Sequence, residues 1–280
     1  MQGKTVVVTG ATSGIGEVAA VELARRGARI VFVARNPLRR DTTLARLSVA
    51  NDKAKHAAYL ADISKLSEMK RVAGEIAAAE PRIDVLINNA GAVFGRRETT
   101  QDGLELTFAT NHMAYFVVTN LLLANLKATP GARIVSTSSD AHKSGKLDFE
   151  DLQSEKKYSS FRAYGTSKLC NILFTRELAR RLAGTGVTAN CLHPGFVSTG
   201  FGDNNGGLMR FVFGALKKVA AITPDDGAKT IIYLASSPEV AGQSGFYYYK
   251  CAPLAPTAAA QNDADAKRLW EISAKIAGVG

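Results

Sequence analysis

Short runs of β-branched and apolar residues alternate with helix-length segments along almost the whole chain. Runs without polar alternation are typical of strands buried on both faces, and strands separated by helices pair in parallel. Strongly apolar runs occupy residues 5–9, 29–33, 83–87, 132–136 and 187–192, and weaker ones occupy residues 56–60 and 245–249. The alternation therefore predicts an α/β fold, a doubly wound parallel sheet of about seven strands flanked by helices.

Helices are predicted between these strands and after the last of them. Their ranges are 15–26, 38–50, 64–79, 103–126, 161–182, 224–234 and, at the C-terminus, 263–276. No Pro-, Gly- or Ser-rich linker and no repeat divides the chain, so we predict a single domain over residues 1–280. The segment at 198–222 begins with glycines and continues into a strongly apolar helix pattern, which predicts a flap over a substrate site.

A glycine-rich turn, TGATSGIG at residues 9–16, connects the first predicted strand to the first helix. Glycine allows a tight turn and the close approach of a pyrophosphate, whose charge then lies over the free N–H groups of the helix N-terminus. Such turns also occur where a strand simply reverses into a helix, but a position in the first strand–helix unit favours a Rossmann-type dinucleotide site. That site is predicted to contain Gly10, Thr12, Ser13, Gly14, Ile15 and Gly16.

The end of the second strand indicates which nicotinamide cofactor is bound. A carboxylate about 20 residues beyond the glycines binds the ribose 2′-OH of NAD, whereas a basic residue there accommodates the 2′-phosphate of NADP. Arg35 closes this strand, Arg39 and Arg40 follow it, and the first acidic residue after the strand is Asp41. The pattern favours NADP(H) over NAD(H), because an arginine can pair with a phosphate. The alternative is that Arg35 merely caps a surface turn and that the pocket accepts either cofactor.

Tyr164 and Lys168 lie four residues apart in a predicted helix, so their side chains share one face. A free tyrosine has a pKa near ~10, and a nearby ammonium favours the phenolate and lowers that pKa. Such a phenol can exchange a proton with an alcohol or carbonyl oxygen near neutral pH. The pair alone is weak evidence, because a chain of this composition supplies it easily by chance.

Together, these features resemble the short-chain dehydrogenase/reductase family, and the resemblance covers essentially the whole chain. Further matches in the family's order are Asp62-Ile63, Asn88 to Gly91, Asn111, Ser138-Ser139 and Pro194-Gly195. Within the family the chain is most similar to retinol-dehydrogenase-like and WW-domain-oxidoreductase-like members. That similarity is carried by Thr110 to His112, Ser138 to His142, Phe174 to Leu182, His193 to Gly195 and Arg268 to Trp270.

The resemblance implies a catalytic set and further cofactor contacts. Tyr164 is implied to be the general acid in reduction and the base in oxidation, with Lys168 lowering its pKa and binding the nicotinamide ribose. Ser139, rather than the adjacent Ser138, is implied to bind the substrate oxygen, and Asn111 to hold a water that connects Lys168 to solvent. The remaining cofactor contacts are implied to be Asp62, Ile63, Asn89, Ala90, Gly91, Pro194, Gly195, Val197 and Thr199.

Several of these residues also have a structural alternative. Ser138 and Ser139 could simply end a strand, and Asn111 could cap or kink a helix. Asp62, two residues before Ser64, matches an ordinary helix-start signal. One architecture nevertheless places all of them at the carboxyl ends of parallel strands, where α/β sheets bind ligands.

The resemblance therefore implies an NADP(H)-dependent oxidoreductase, a short-chain alcohol dehydrogenase or carbonyl reductase. The apolar flap favours a lipophilic alcohol, ketone or aldehyde as substrate. The alternative is that the flap packs on its own domain or on a second subunit. The alternative is a catalytically idle NADP-binding sensor or scaffold on the same fold, against which the intact catalytic set argues. A homodimer or homotetramer through the helices at 103–126 and 161–182 is also implied.

The formal net charge of +10 raises the question of a polyanionic partner. No recognition helix, zinc-ligand spacing or aromatic RNA-binding pattern accompanies the charge, so nucleic acid is not expected. Lys217 and Lys218 border the apolar part of the flap and could touch an anionic membrane surface. His112, His142 and His193 have no Cys or carboxylate at metal-ligand spacing, so no metal site is expected.

The compartment is inferred from apolar segments and cysteines. No apolar stretch approaches the ~18–20 residues of a membrane-spanning helix, and no signal peptide is expected. Cys170, Cys191 and Cys251 are odd in number and far apart, which favours reduced thiols over disulfides. We therefore expect a cytoplasmic protein.

Overall fold

Strands and helices alternate along the chain, and the strands assemble into one sheet. The computed structural model of the protein describes residues 1–197 and 222–279. Within these residues, eight strands form a sheet in the order β3-β2-β1-β4-β5-β6-β7-β8, and every neighbouring pair is parallel except β7 and β8. The strands are β1 (Thr5–Thr9), β2 (Arg29–Ala34), β3 (Ala57–Leu60), β4 (Val85–Asn88), β5 (Arg133–Thr137), β6 (Thr188–Leu192), β7 (Tyr247–Tyr249) and β8 (Ala252–Pro253). The predicted doubly wound α/β class is confirmed.

Strand β8 was not predicted from the sequence. It follows β7 after a two-residue turn in which both Lys250 and Cys251 have positive φ, 48° and 62°. Such a turn is the tight connection that joins neighbouring antiparallel strands. The turn residues are not glycine, and β8 has only two residues, so no turn or alternation signal marked it.

Helices cover both faces of the sheet. They are α1 (Gly14–Arg25), α2 (Pro37–Ala50), α3 (Leu66–Ala79), α4 (Leu106–Phe108), α5 (Ala114–Lys127), α6 (Ser160–Arg181), α7 (Pro224–Ser236) and α8 (Asp263–Ala277). The sheet has a hydrophobic core on each face. Alternate residues of β1 point into different cores, because successive side chains of a strand point to opposite faces. Val7 belongs to the core formed with α3, α5, α6 and α8, whereas Val6 and Val8 belong to the core formed with α1, α2 and α7.

The helix predicted at 103–126 is interrupted. Gly103 has φ +77° and lies outside the helix, which begins after Glu105, whose two carboxylate oxygens accept the N–H groups of Thr107 and Phe108 at 2.8 Å each. A π-helical turn, Ala109–Met113, then separates α4 from α5. Turns of this kind insert an extra residue into a helix and are frequent at functional sites. Here the turn carries Asn111.

The C-terminal helix α8 packs on α6 and α5, the helices implied to form a subunit interface. The Trp270 ring stacks on Phe174 with centroids 5.7 Å apart and meets Phe116 edge-on at 4.9 Å. The guanidinium of Arg181 lies 4.5 Å from the Trp270 centroid. Arg176 and Arg180 pair with Asp263 at 3.0 and 2.6 Å. Part of the helical face implied for oligomerisation is therefore buried within the chain itself.

Some sequence predictions lie outside the described residues. These are Thr199, Lys217, Lys218 and all but the last residue of the predicted flap at 198–222. In the part of the chain that is described, none of the helices has the length and apolar character that crossing a membrane requires.

A buried carboxylate ties the amino ends of β1 and β4 together. Asp84 is 4% exposed and accepts hydrogen bonds from Lys4 Nζ, the Thr5 N–H and Arg82 Nη2, each at 2.9 Å. Burial alone would raise the pKa of Asp84, but the hydrogen bonds from Arg82, Thr5 and Lys4 outweigh it and lower that pKa. The ionised carboxylate is therefore stabilised in the folded state.

We predict that Asp84→Asn lowers the free energy of unfolding by about 1–3 kcal/mol at neutral pH, because it replaces a charge-assisted acceptor by a neutral amide. A lowered folded-state pKa stabilises the fold above the carboxyl's ordinary pKa, near ~4, and this stabilisation is lost as the pH falls. Urea unfolding of the wild-type protein and of Asp84→Asn should show that the difference in their free energies of unfolding decreases as the pH falls. Asp41→Asn is the control, since Asp41 is exposed and, within the described residues, its ion pair is with the neighbouring Arg40. A difference that is independent of pH would contradict the lowered pKa of Asp84 in the folded state.

Candidate active site

The loops after β1, β4, β5 and β6 meet at the carboxyl edge of the sheet. β1 lies between β2 and β4, so the strand order reverses at β1. Open parallel sheets bind ligands in the crevice at such a switch point. Most of the predicted site residues lie on these loops and on α6, and the others follow β2 and β3 or lie in the π-helical turn.

The glycine turn after β1 is packed directly against the loop after β4. A Cβ on Gly10, which has φ +74°, would lie 2.7 Å from Ala90 Cα, and a Cβ on Gly16 would lie 2.2 Å from Gly10 O. No side chain fits at either position without a shift of the backbone. Ser13, which precedes α1, has an extended backbone with φ −168° and makes no side-chain cap. The N–H groups at the start of α1 therefore receive no side-chain cap from Ser13.

A hydroxyl at the end of β1 organises this crevice. Thr9 Oγ1 accepts hydrogen bonds from the Asn89 and Ala90 N–H groups at 3.0 and 3.2 Å. Asn89 Nδ2 donates to Gly10 O at 3.2 Å, and Thr137 Oγ1 donates to Asn89 Oδ1 at 3.3 Å. The ends of β1, β4 and β5 are therefore joined by one hydrogen-bond network.

The two adjacent serines after β5 have different partners. Ser138 is buried and donates its hydroxyl hydrogen to the Lys168 carbonyl at 2.7 Å, which fixes α6 to the sheet. Ser139 accepts the Ala141 N–H at 3.2 Å and is hydrogen-bonded to the Tyr164 side chain. The structure therefore brings Ser139, and not Ser138, to the tyrosine hydroxyl.

The pKa of Tyr164 does not shift as the sequence suggested. Burial raises the pKa of Tyr164 to about 12, and the Ser139 hydrogen bond offsets only part of that rise. Lys168 Nζ lies 5.6 Å from the centroid of the Tyr164 ring and donates to Thr137 O at 3.1 Å. The Tyr164 pKa is therefore raised rather than lowered, because the cost of burying the phenolate exceeds the effect of the Ser139 hydrogen bond.

Lys168 is itself shifted in the opposite direction. Its side chain is 3% exposed, and burial lowers the pKa of Lys168 to about 7 because the charged form loses hydration. A second aromatic ring, that of Tyr115, has its centroid 5.7 Å from Nζ. The ammonium thus lies among rings and one carbonyl and titrates near neutral pH.

Asn111 joins the loop after β4 to α6. Its Oδ1 accepts the Ala92 N–H at 2.8 Å, and its Nδ2 donates to Ala92 O at 2.9 Å and to Ser167 Oγ at 3.0 Å. A Cβ on Gly91 would lie 3.3 Å from both Asn111 Oδ1 and Lys168 Nζ. Asn111, Gly91 and Lys168 therefore converge, and Asn111 also lies in the π-helical turn that separates α4 from α5.

The residues predicted to bind the adenosine end follow β2 and β3. Arg35 is exposed and comes directly after β2. Arg40 pairs with Asp41 at 2.7 Å, whereas Arg35 and Arg39 have no ion pair within the described residues. Asp62 follows β3 with Ile63, and its Oδ1 accepts from both the N–H and the hydroxyl of Ser64, at 3.2 and 2.8 Å. Asp62 therefore also forms the turn that leads to α3.

The residues predicted to bind the nicotinamide follow β6. Pro194 precedes Gly195, which has φ +89°, a backbone conformation that favours glycine. Val197 forms a parallel bridge with Ile222. A Cβ on Gly227 would meet side-chain atoms of Val197 at 2.7 Å and of Ile15 at 2.8 Å, so this segment reaches the start of α1. Ile15, which these contacts bring close to Val197, belongs to the predicted cofactor turn, so the turn after β1 and the segment after β6 lie at one edge of the sheet.

Four residues that contact the site were not among the predicted site residues: Thr9, Tyr115, Thr137 and Ser167. The Thr137 carbonyl accepts from Lys168 and also from Tyr115 Oη at 3.4 Å, but a backbone carbonyl has no signal in a sequence. Thr9 could have been found, because a hydroxyl at the end of the strand before a glycine turn is well placed to bond neighbouring loops.

His112, His142 and His193 are all buried. Burial lowers the pKa of His112 and of His193 to about 4, so both rings are neutral near pH 7. Among residues 1–197 and 222–279, no group of three or more His, Cys, Asp or Glu side chains is arranged to hold a metal ion.

We predict that Gly16→Ala lowers the free energy of unfolding by about 1–3 kcal/mol, because the new Cβ forces the glycine turn away from Asn89 and Gly10. Gly74→Ala is the matched control. Gly74 lies in α3 with no atom within 4 Å of its added Cβ, and the same change there should stabilise the helix by about 0.5–1 kcal/mol. Thermal unfolding of the two variants should shift in opposite directions; an unchanged melting temperature for Gly16→Ala would contradict the packing argument.

Comparisons with known proteins give the family. Residues 4–206 match the model of the short chain dehydrogenase family. Mouse retinol dehydrogenase 14 is 42% identical over 100% of this chain and 87% of its own length. A solved protein from Mycobacterium paratuberculosis has a TM-score of 0.79 and 31% identity over 99% of this chain and 94% of its own. RhlG of Pseudomonas aeruginosa, solved as an active-site complex with NADP, has a TM-score of 0.70 and is 25% identical over 88% of this chain and 94% of its own. The chain therefore belongs to the short chain dehydrogenase family of oxidoreductases and is similar to the retinol dehydrogenases.

Proposed function

We propose that the protein is an NADP(H)-dependent oxidoreductase that interconverts a lipophilic alcohol and its aldehyde or ketone. The observation that carries this proposal is the arrangement of Ser139, Tyr164 and Lys168. A hydrogen-bonded serine–tyrosine pair stands over a buried lysine, next to a glycine turn built for a pyrophosphate. Two hydroxyls and one cation are what proton exchange at a substrate oxygen requires.

The chemistry divides between cofactor and protein. A bound nicotinamide supplies or accepts the hydride. Ser139 and Tyr164 hold the substrate oxygen, and the Tyr164 hydroxyl donates its proton to that oxygen during reduction. With a pKa of about 12, Tyr164 is protonated at neutral pH and ready to donate. Lys168, when protonated, stabilises the phenolate that remains, and the same phenolate accepts the proton in oxidation.

Arg35 and Arg39 support a preference for NADP(H). Both follow β2, where the adenosine ribose of a bound dinucleotide lies in this fold. Neither is neutralised by an ion pair in the described part of the chain, whereas Asp41 is held by Arg40. The structural neighbour RhlG was solved with NADP. A 2′-phosphate would therefore meet two available guanidinium groups.

A lipophilic, retinoid-like substrate is supported by similarity and by exposed aromatic rings. Retinol dehydrogenase 14 is similar over the whole chain. Phe161, one helical turn before Tyr164, is 59% exposed, and Phe196, two residues after Pro194, is 42% exposed. Large apolar side chains exposed beside a catalytic pair suit an apolar substrate.

Assembly and location complete the proposal. Any homodimer or homotetramer would use surfaces other than the part of α5 and α6 that α8 covers. A cytoplasmic location is consistent with free thiols at Cys170, Cys191 and Cys251.

Tyr164→Phe should leave NADPH affinity within about threefold and lower the turnover of lipophilic aldehydes by at least about a thousandfold, because the proton donor is lost. Nicotinamide absorbance with a panel that includes retinoid aldehydes measures turnover. Tyr233→Phe is the control, since that hydroxyl bonds Glu239 at 2.9 Å, away from the site. Wild-type protein that binds NADPH tightly but reduces nothing across a broad panel would favour the sensor or scaffold instead.

Arg35→Ser should weaken NADPH binding about 10- to 100-fold and leave NADH binding nearly unchanged, because one charge-assisted contact with the 2′-phosphate is removed. Fluorescence titration with both cofactors gives the two dissociation constants. Arg40→Ser serves as the control, because Arg40 is already paired with Asp41. Equal wild-type affinities for NADH and NADPH would refute the assignment of Arg35.

A further inference from the structure

We propose that His142 is a positioning residue that holds Ser139 in place for proton exchange with the substrate oxygen. The proposal rests on the function proposed above. His142 acts on the backbone of the serine.

The backbone N–H and the ring Nδ1–H of His142 both donate to the carbonyl oxygen of Ser139. The His142 backbone N–H lies 3.1 Å from Ser139 O, and the ring nitrogen Nδ1 lies 2.8 Å from the same oxygen. The Ser139 hydroxyl accepts the Ala141 N–H at 3.2 Å, which closes the short 3₁₀ turn Asp140–Ser144. The serine is therefore restrained at its carbonyl by two donors and at its side chain by a third.

These contacts determine the tautomer of His142. A carbonyl oxygen only accepts, so Nδ1 must carry the hydrogen. On the opposite side of the ring, Nε2 faces the Thr257 N–H at 3.4 Å, and a backbone N–H only donates. Nε2 must therefore be unprotonated. The ring is 1% exposed, and the neutral Nδ1–H form is the one that satisfies both neighbours.

Aromatic packing fixes the orientation of the ring. Tyr247 meets the His142 ring edge-on at 5.2 Å, and its hydroxyl lies 3.4 Å from Nδ1. His193 stacks on the other side of this cluster, 5.6 Å from Tyr247 and 4.1 Å from Tyr249. A rotation of His142 would have to displace β7. The position of Ser139 thus depends on residues more than 100 positions away in the sequence.

The consequence for catalysis is geometric. Ser139 must present its hydroxyl to the substrate oxygen while it remains bonded to Tyr164. A displacement of about 1 Å in such an arrangement can slow a reaction about a hundredfold. Loss of the Nδ1–H donor should therefore affect the chemical step and leave cofactor binding, which depends on the β1 turn, unchanged.

Single-turnover reduction of a lipophilic aldehyde under saturating NADPH separates an effect on the chemical step from an effect on cofactor binding. His142→Leu should slow hydride transfer at least about tenfold, with the NADPH dissociation constant unchanged. His142→Asn should recover most of the rate, because its amide nitrogen can replace Nδ1 as the donor to Ser139 O. The matched control is His56, whose Nδ1 accepts the Ile30 N–H at 3.0 Å at the opposite edge of the sheet. His56→Leu should lower stability without a selective loss of hydride transfer. A His142→Leu rate within twofold of wild type, or a His142→Asn rate no better than that of His142→Leu, would overturn the proposal.

A spectroscopic test does not depend on turnover. Long-range ¹⁵N–¹H NMR of the wild-type protein at about pH 7.5 should show His142 as the neutral Nδ1–H tautomer. His56 should show the opposite tautomer in the same spectrum, because its Nε2 lies 3.2 Å from the Asn51 carbonyl and its Nδ1 accepts. An Nε2–H or doubly protonated His142 would overturn the proposal even if the enzyme is active. Wild-type protein without any turnover but with the expected tautomer would instead count against the proposed function alone.

Discussion

The glycine turn after β1 and the loop after β4 are in such close contact that neither Gly10 nor Gly16 has room for a Cβ. Thr9 Oγ1 fastens this contact by accepting two backbone N–H groups of the β4 loop, and Thr137 extends the network to β5 through Asn89. This junction sets the spacing of the ends of β1, β4 and β5. The start of α1, the carbonyl that holds Lys168 and the loop that holds Asn111 are all built on it.

Burial of ionisable groups is the second organising constraint. Removing Tyr164 and Lys168 from water disfavours the charged form of each, which raises the tyrosine pKa to about 12 and lowers the lysine pKa to about 7. Both groups are thereby adjusted toward their neutral forms in the protein alone. A tyrosine in this state is a proton donor, and a lysine titrating near pH 7 can supply charge when the phenolate forms. The same burial keeps His142 neutral between a carbonyl and an N–H group, which suits it to hold a backbone rather than to carry a proton.

Much of the fold was predictable because each signal was local. Buried β-branched runs and intervening helices gave the parallel sheet, and glycine spacing located the turn after β1. Two features that the sequence did not indicate depend on contacts between distant residues. The π-helical turn within the predicted helix at 103–126 is accompanied by side-chain bonds from Asn111 to Ala92 and Ser167. Likewise, the stacking of Trp270 on Phe174, which packs α8 against α6, joins residues almost 100 positions apart in the chain.

Sequence by itself determined the architecture, the family resemblance and the identity of the candidate residues, since periodicity and motif spacing are properties of the chain order. Tertiary structure decided which of two adjacent serines meets Tyr164, because Ser138 is directed to the Lys168 carbonyl and Ser139 to the phenol. It also decided the direction of the Tyr164 pKa shift. Desolvation and hydrogen bonding depend on what surrounds a group in space, and a four-residue spacing between a tyrosine and a lysine cannot specify those surroundings.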